Sequence, residues 1–562
     1  MRLTDTADLW WKNAVVYCLD VETYQDGDGD GIGDFVGLTQ RIDHLVRLGV
    51  TCLWLMPFQP THARDDGYDI TDYYAVDPRL GTFGEFTEFV RTARDRGLRV
   101  IADLVVNHTS DRHPWFRDAC SGRDARRRDW YVWCDSPPAD GPQDITFPDA
   151  EQSLWQYHEA TGQYYFHRFY REQPDLNVTN PEVRDEIARI MGFWTQLGLS
   201  GFRVDAVPFL LETAGQTDAA DLADPHAYLA DLRAFLGRRN GEAMLLGEVN
   251  LPYEETLRFF GDPASCGDEL TMCFDFIGMQ RMYLSMARQE AAPLAGSLRE
   301  RPQPPRDAHW ATFVRNHDEL TLDKLSEPER AEVFAAFGPE PDMQLYGRGL
   351  RRRLPAMVDG DPRRIELAYS LLFTLPGTPV LFYGEEIGMA ENLDVEGRLA
   401  VRTPMQWEPD PAGGYSGADP SRFPRPLTRG RFGPERVNVR DQAHDPDSLL
   451  TRMRSFVQGY REAPELAWGS CEVLDAGDPA VLAHLSSTAD GAVLALHNFA
   501  DRQATAAPVG VPPGRLTDVL TGAAVDGRGR GDGGDGDGGD GDGTLRVTLA
   551  PYGYRWLRVG DA

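Results

Sequence analysis

Three carboxylates stand at the ends of apolar, β-prone runs: Asp205 in G-F-R-V-D-A at 201–206, Glu248 in L-L-G-E-V-N at 245–250 and Asp318 in V-R-N-H-D-E at 314–319. Strand ends of an α/β barrel gather at one mouth, where such enzymes do chemistry. Acids gathered there repel one another, so their pKa values must be driven apart, which lets one attack while another delivers a proton. One such motif alone reads as readily as a charged strand end meeting solvent. Three in barrel order point to chemistry on a glycosidic bond. Retaining cleavage needs a carboxylate nucleophile on one side of the anomeric carbon and a protonated acid ~5 Å away on the other. Asp205 suits the nucleophile because Arg203, two residues earlier on the same strand face, can keep it ionised. Glu248 ends an apolar strand, which raises a carboxyl pKa and suits a general acid/base. Asp318, beside His317, could clamp sugar hydroxyls as the ring flattens.

The elements that must position these acids are legible as recurring apolar runs. Strands are expected at 15–19, 51–57, 99–107, 201–207, 243–250, 270–276, 310–316 and 380–385. Between them, 38–48, 85–96, 181–197 and 363–375 carry apolar residues at helical spacing. Eight strands alternating with helices predict an α/β fold, a closed (β/α)8 barrel built from 1–107 and 176–460. The stretch 108–175, rich in Trp, Tyr, Pro and Arg, is too long for a simple crossover and is expected to form an inserted subdomain over the mouth. A second excursion, 319–362, reads as a partly helical lid. From 461 to 562 short alternating segments predict an antiparallel β domain, with a Gly/Asp-rich loop at 526–543 that can bury nothing. That run lacks the apolar position of calcium-binding β-roll repeats, so no metal is expected there.

With 57 basic and 88 acidic residues among 562, the formal charge is −31, which argues against nucleic acid or an anionic membrane as partner. A neutral sugar and a bound divalent cation are both compatible with it. No run approaches the length of a membrane span, and no secretory signal is visible. Seven cysteines form an odd set without metal spacing, and Cys18, Cys52 and Cys273 fall in expected strands, so the simplest assignment is a reducing cytoplasm. The loop D-G-D-G-D-G-I-G-D at 26–34 places Asp26, Asp28, Asp30 and Asp34 where hard oxygen ligands, with the backbone carbonyl of Ile32, would wrap one structural calcium.

Taken together, D-L-V-V-N-H at 103–108, G-F-R-V-D-A-V, G-E-V-N and R-N-H-D resemble the α-amylase superfamily of α-retaining glycoside hydrolases and transglycosylases, in the family's order and over nearly the whole barrel. The resemblance implies Asp205 as nucleophile, Glu248 as acid/base and Asp318 as transition-state stabiliser, with His108, Arg203 and His317 lining the subsite of the attacked glucose. D-D-G-Y at 65–68 is similar to the segment that closes the non-reducing end in pocket-type members. Asp65 would then bind a terminal hydroxyl, Tyr68 would stack on the sugar, and Arg402 of R-T-P-M-Q-W would pair with Asp65 and block longer chains. H-R-F-Y-R-E-Q-P-D-L-N at 167–177, which contains Gln173 as a further sugar-binding candidate, and L-R-R-R-L at 350–354 resemble the trehalose-synthase branch. That branch isomerises small α-glucosides such as maltose and trehalose; hydrolysis or transglucosylation by an α-glucosidase is the alternative. The segment V-N-L-P-Y at 249–253 departs from the Ala-Asn-Gln-Trp expected of that branch. The same resemblance implies a second structural calcium held by Asn107, Asp175, Glu212 and the backbone oxygens of Phe209 and Leu210. No organic cofactor is expected.

Overall fold

The computed structural model describes residues 9–138, 144–211, 225–525 and 545–560. Eight strands close a parallel barrel: β1 (Val16–Leu19), β2 (Cys52–Leu55), β3 (Arg99–Leu104), β4 (Gly201–Val204), β5 (Met244–Gly247), β6 (Met272–Phe274), β7 (His309–Phe313) and β8 (Thr378–Phe382). Each pairs with its neighbour in chain order, and β1 closes on β8 through Val16 opposite Val380. Nearly every strand residue is buried, as barrel strands covered by helices outside and packed side chains inside must be. Gly201 opens β4 at φ 150°, where a Cβ would strike the Met244 carbonyl at 2.2 Å.

The helices begin where the sequence supplies caps. Asp34 accepts from Gly37 N–H to start Phe35–Leu48, and Thr82 and Glu85 form a capping box for Phe83–Asp95. Asn180 and Asp361 cap Pro181–Gln196 and Pro362–Thr374, each with proline in the first turn, where its missing N–H costs nothing. All eight expected strands form, but most end two or three residues early. Beyond Leu104, Val204, Gly247 and Phe313 the chain turns into the mouth, and the stretch expected at 380–385 leaves the barrel at Phe382, with Glu385 in a tight turn.

Between β3 and β4 lies a three-stranded sheet of Trp133–Cys134, Gln163–Phe166 and Trp155–His158. The excursion after β7 carries the helix Glu327–Phe337 and a small sheet of Leu320–Thr321, Gln344–Leu345 and Gly349–Leu350. Beyond the helix Leu449–Glu462 comes a six-stranded antiparallel sheet. It packs on the barrel through Trp556, stacked on Phe456 at 5.5 Å and donating to Ser370 Oγ at 2.8 Å. All seven cysteines are free, and Cys18, Cys52 and Cys273 are buried. Among the described residues no helix is long and apolar enough to cross a membrane. The Gly/Asp-rich run at 526–543 lies outside the described residues.

Candidate active site

At the mouth of the barrel, Arg203 on β4 organises the acids. Fully buried, it donates through Nη1 to Asp103 Oδ1 at 2.6 Å and to Asp205 Oδ1, and through Nη2 it meets Glu248 Oε2 at 2.9 Å. Asp205 directly follows β4 and Glu248 directly follows β5, and the register of the two strands puts Arg203 opposite Leu246. Ala206, next after Asp205, takes the left-handed φ of 47°, and this turn aims its N–H at Glu248 Oε2, 3.1 Å away. Two carboxylates on one guanidinium are compatible with the ~5 Å spacing of a retaining pair.

Burial raises the pKa of both acids. Asp205 is pushed up to about 6 and Glu248 to about 7, with Arg203 opposing burial in each case and the neighbouring acids adding to it. Arg203 favours the ionised form of Asp205, but it divides its charge among three carboxylates, so the loss of water outweighs its pull and the net shift is upward. Asp103, which belongs to the D-L-V-V-N-H motif, is itself raised to about 6 by burial and also accepts from Trp54 Nε1 at 2.8 Å.

Asp318 is held the other way. Burial opposes its ionisation, but His317, Arg398, Arg402 and Arg203 together keep it well below the usual carboxylate range. Burial also drives His317 toward its neutral form, so the lasting pull comes from the guanidiniums: Arg398 at 2.6 Å and Arg402 at 3.0 Å, both on Oδ1. His317 Nε2 meets Tyr68 OH at 2.7 Å, the two rings stacking at 5.4 Å and 6°. His108, kept neutral by burial with its pKa down to about 4, contacts the Tyr68 carbonyl at 3.0 Å.

The pocket end differs from expectation. Asp65 pairs with Arg398, not Arg402: Arg398 Nη2 lies 2.6 Å from Asp65 Oδ1. Arg402 is fully buried one helical turn further on and is committed to Asp66 at 2.7 Å, Asp318 and the His317 carbonyl at 2.8 Å. Gln173 Nε2 donates to Asp65 Oδ2 at 2.9 Å, so Gln173 also belongs to this end. A cavity of about 760 Å³ runs from Asp65, Tyr68 and His108 past Asp205, Glu248 and Asp318 to Phe147, Phe169 and Phe209. In the departing segment 249–253, Asn250 donates to Asp323 at 3.0 Å and Leu251 lines the cavity. Arg398 was missed because it sits in a long irregular stretch without periodicity; its spacing of four from Arg402 was the available signal.

In the acidic loop, oxygens of Asp26, Asp28 and Asp34 lie within 4.8 Å of one another. Asp30 is outside that group and accepts from Ile32 N–H at 2.7 Å. Of the second expected metal set, Asn107 donates to Asp175 at 3.2 Å, Phe209 and Leu210 lie on the short helix Val207–Leu210, and Glu212 falls outside the described residues.

A parallel barrel with two paired, pKa-raised acids and one ionised acid around a sugar-sized pocket defines an enzyme of glycosidic-bond chemistry. The chain belongs to the alpha-amylase family: the model "Alpha amylase, catalytic domain" matches residues 21–329 and 351–469. It is 40% identical over 494 residues to "Trehalose synthase/amylase TreS" of Mycobacterium tuberculosis, covering 87% of this chain and 82% of that one. It is 33% identical over 541 residues to a "Probable alpha-glucosidase" of Rhizobium meliloti, covering 88% and 90%. Its fold matches the alpha-amylase from H. orenii with a TM-score of 0.76 at 24% identity, over 98% of this chain and 99% of that one.

Proposed function

We propose that the chain converts maltose and trehalose into one another by double displacement within a closed pocket. Asp205 attacks the anomeric carbon while Glu248 gives its proton to the leaving glycosidic oxygen, forming a covalent glucosyl ester and free glucose. The free glucose turns in the pocket and presents its anomeric hydroxyl. Glu248, now ionised, takes that proton as the new oxygen–carbon bond forms and Asp205 departs. Asp318, kept ionised by Arg398 and Arg402, accepts hydroxyls of the attacked ring as it flattens. Tyr68 and His108 line that ring, with His317 behind Tyr68, and Asp65, held by Gln173, binds its far edge.

The observation that carries this reading is the Arg398 bridge between Asp65 and Asp318, which closes the Asp65 end of the cavity and leaves room there for a single terminal glucose in the reading we propose. The similarity to trehalose synthases over most of the chain supports it. Hydrolysis of small α-glucosides is the second reading, favoured by Leu251 in the departing segment and by the α-glucosidase relatives. Incubation with maltose tests the proposal: trehalose should appear and should be abolished in Asp205→Asn. Free glucose as the sole product would support hydrolysis.

The acidic loop fits one calcium. Asp26, Asp28 and Asp34 would hold it, the ion would offset three crowded carboxylates, and its role would be structural. The free cysteines suit a reducing, cytoplasmic setting.

A further inference from the structure

The excursion after β7 ends in a hairpin whose tip does something its own geometry does not require. Gln344–Leu345 and Gly349–Leu350 pair antiparallel, and Arg348 N–H closes the turn on the Leu345 carbonyl at 3.1 Å. The two central residues, Tyr346 and Gly347, both have left-handed φ, 55° and 64°. Such a turn favours Asn-Gly or Gly-Gly, because a side chain at the first central position is strained. Tyrosine is a poor choice for it. A local rule broken at the rim of an active site points to a gain made elsewhere.

The gain lies across the mouth. The Tyr346 ring packs on Phe147 at 5.2 Å, and Phe147 is stacked in turn on Tyr170 at 4.5 Å and 17°. Arg348, next but one in the same turn, donates to the Thr146 carbonyl at 2.8 Å and pairs with Glu319 at 3.2 Å. Two residues of the hairpin thus grip two adjacent residues of the subdomain loop. Phe147 is only 4% exposed and holds the Arg398 guanidinium against its ring at 5.0 Å. Arg398 is the cation that bridges Asp65 and Asp318, so the grip reaches the glucose pocket through one side chain.

We propose that the Tyr346 tip is a specificity-determining latch. By pinning Phe147 over Arg398 it keeps the mouth shut long enough for the glucosyl enzyme to be taken by a sugar hydroxyl rather than by water. This deepens the isomerase reading and rests on it. In the attack by water, oxygen bonds to the anomeric carbon, its proton goes to Glu248 and Asp205 leaves, so glucose is released. In the attack by sugar the same bonds change with a hydroxyl in place of water. Only access to the anomeric carbon separates the two outcomes.

The test compares wild type with Tyr346→Asn, Tyr346→Phe and Arg348→Met. Asparagine suits the turn, so Tyr346→Asn should keep or raise the melting temperature, which separates a latch from a structural role. With maltose, the ratio of released glucose to trehalose should rise on the order of fivefold in Tyr346→Asn and Arg348→Met, and by less in Tyr346→Phe, which keeps the ring on Phe147 but loses the hydroxyl's hydrogen bond with Tyr170. With p-nitrophenyl α-glucoside and added glucose, nitrophenol counts all turnovers and new disaccharide counts transfers, so the partition is measured without any isomerisation. Wild type making no trehalose would remove the isomerase reading, and the second assay would still judge the latch. A transfer share within about twofold of wild type in folded Tyr346→Asn and Arg348→Met would overturn it.

Discussion

The Arg398 guanidinium lies 2.6 Å from the Asp65 carboxylate at the closed end of the pocket. It ties the loop after β2 to the irregular stretch after β8 across the mouth. Removing it leaves Asp65 without its cation and Asp318 with Arg402 as its remaining close guanidinium. Arg398→Ala should therefore lower kcat/KM for maltose by on the order of 10²-fold while leaving the fold intact, because both carboxylates lose their fixed positions. Arg402 is fully buried and bonded to Asp66, Asp318 and a backbone carbonyl, so Arg402→Ala should also lower the melting temperature. Melting curves beside kcat/KM for both variants separate the two roles. Equal loss of stability in both would contradict the assignment.

The pH profile of kcat/KM should be a narrow bell. Asp205 and Glu248 are pushed up to about 6 and about 7, chiefly by burial, and they share Arg203. The pair must carry one proton, on Glu248, to react. Activity should rise as the first proton leaves near pH 6 and fall as the second leaves near pH 7 and above. Glu248→Gln cannot lose a proton at that position, so with a substrate whose leaving group needs no acid, such as a glucosyl fluoride, the falling limb should vanish. A falling limb that survives this change would place the acid elsewhere.

Where the C-terminal sheet meets the barrel, His484 and His497 stack at 6.0 Å, both fully buried, with His497 against Ser370 of the barrel helix at 2.9 Å. Burial holds His484 down to about 4 and His497 well below its usual value. The unfolded chain, with histidine near ~6.5, then binds protons that the folded chain refuses. Stability from this pair is complete above that value and is lost as pH falls from it toward 4. The melting temperature of wild type should drop more steeply than that of His484→Gln between pH 7 and 5. Parallel curves would remove the pair from the account.

Stripping divalent ions should lower the melting temperature, and added calcium should restore it. A ligand held by Asp26, Asp28 and Asp34 in the native state alone stabilises that state by mass action. In Asp26→Ala the response to calcium should disappear. An unchanged melting curve after verified stripping would count against the site.

Much of this arrangement was legible in the sequence. All eight barrel strands stand out as apolar runs because strands buried on both faces tolerate few polar residues, and the acids are found because they end those runs. Strand ends were overdrawn by a few residues, since apolar residues such as Val105 and Val249 continue past the last ladder bond into the mouth. The sequence points to Arg402 as the partner of Asp65 because that residue lies in a recognisable motif. Arg398 lies four residues earlier in a stretch where no period constrains the reading, and its reach depends on how the loops fold over the barrel. The shared load on Arg203 was likewise invisible, because Asp103 and Glu248 meet it only through the register of three strands.

The central claim is that the cleaved glucose stays in the pocket and is rejoined to its own glucosyl partner. Converting unlabelled maltose in the presence of uniformly ¹³C-labelled glucose tests it most directly. The proposed retention predicts that trehalose forms and that nearly all of it is unlabelled, because the cleaved glucose is rejoined before it can exchange with the labelled pool. Release of free glucose with no trehalose, or trehalose labelled in proportion to the added glucose, would contradict it.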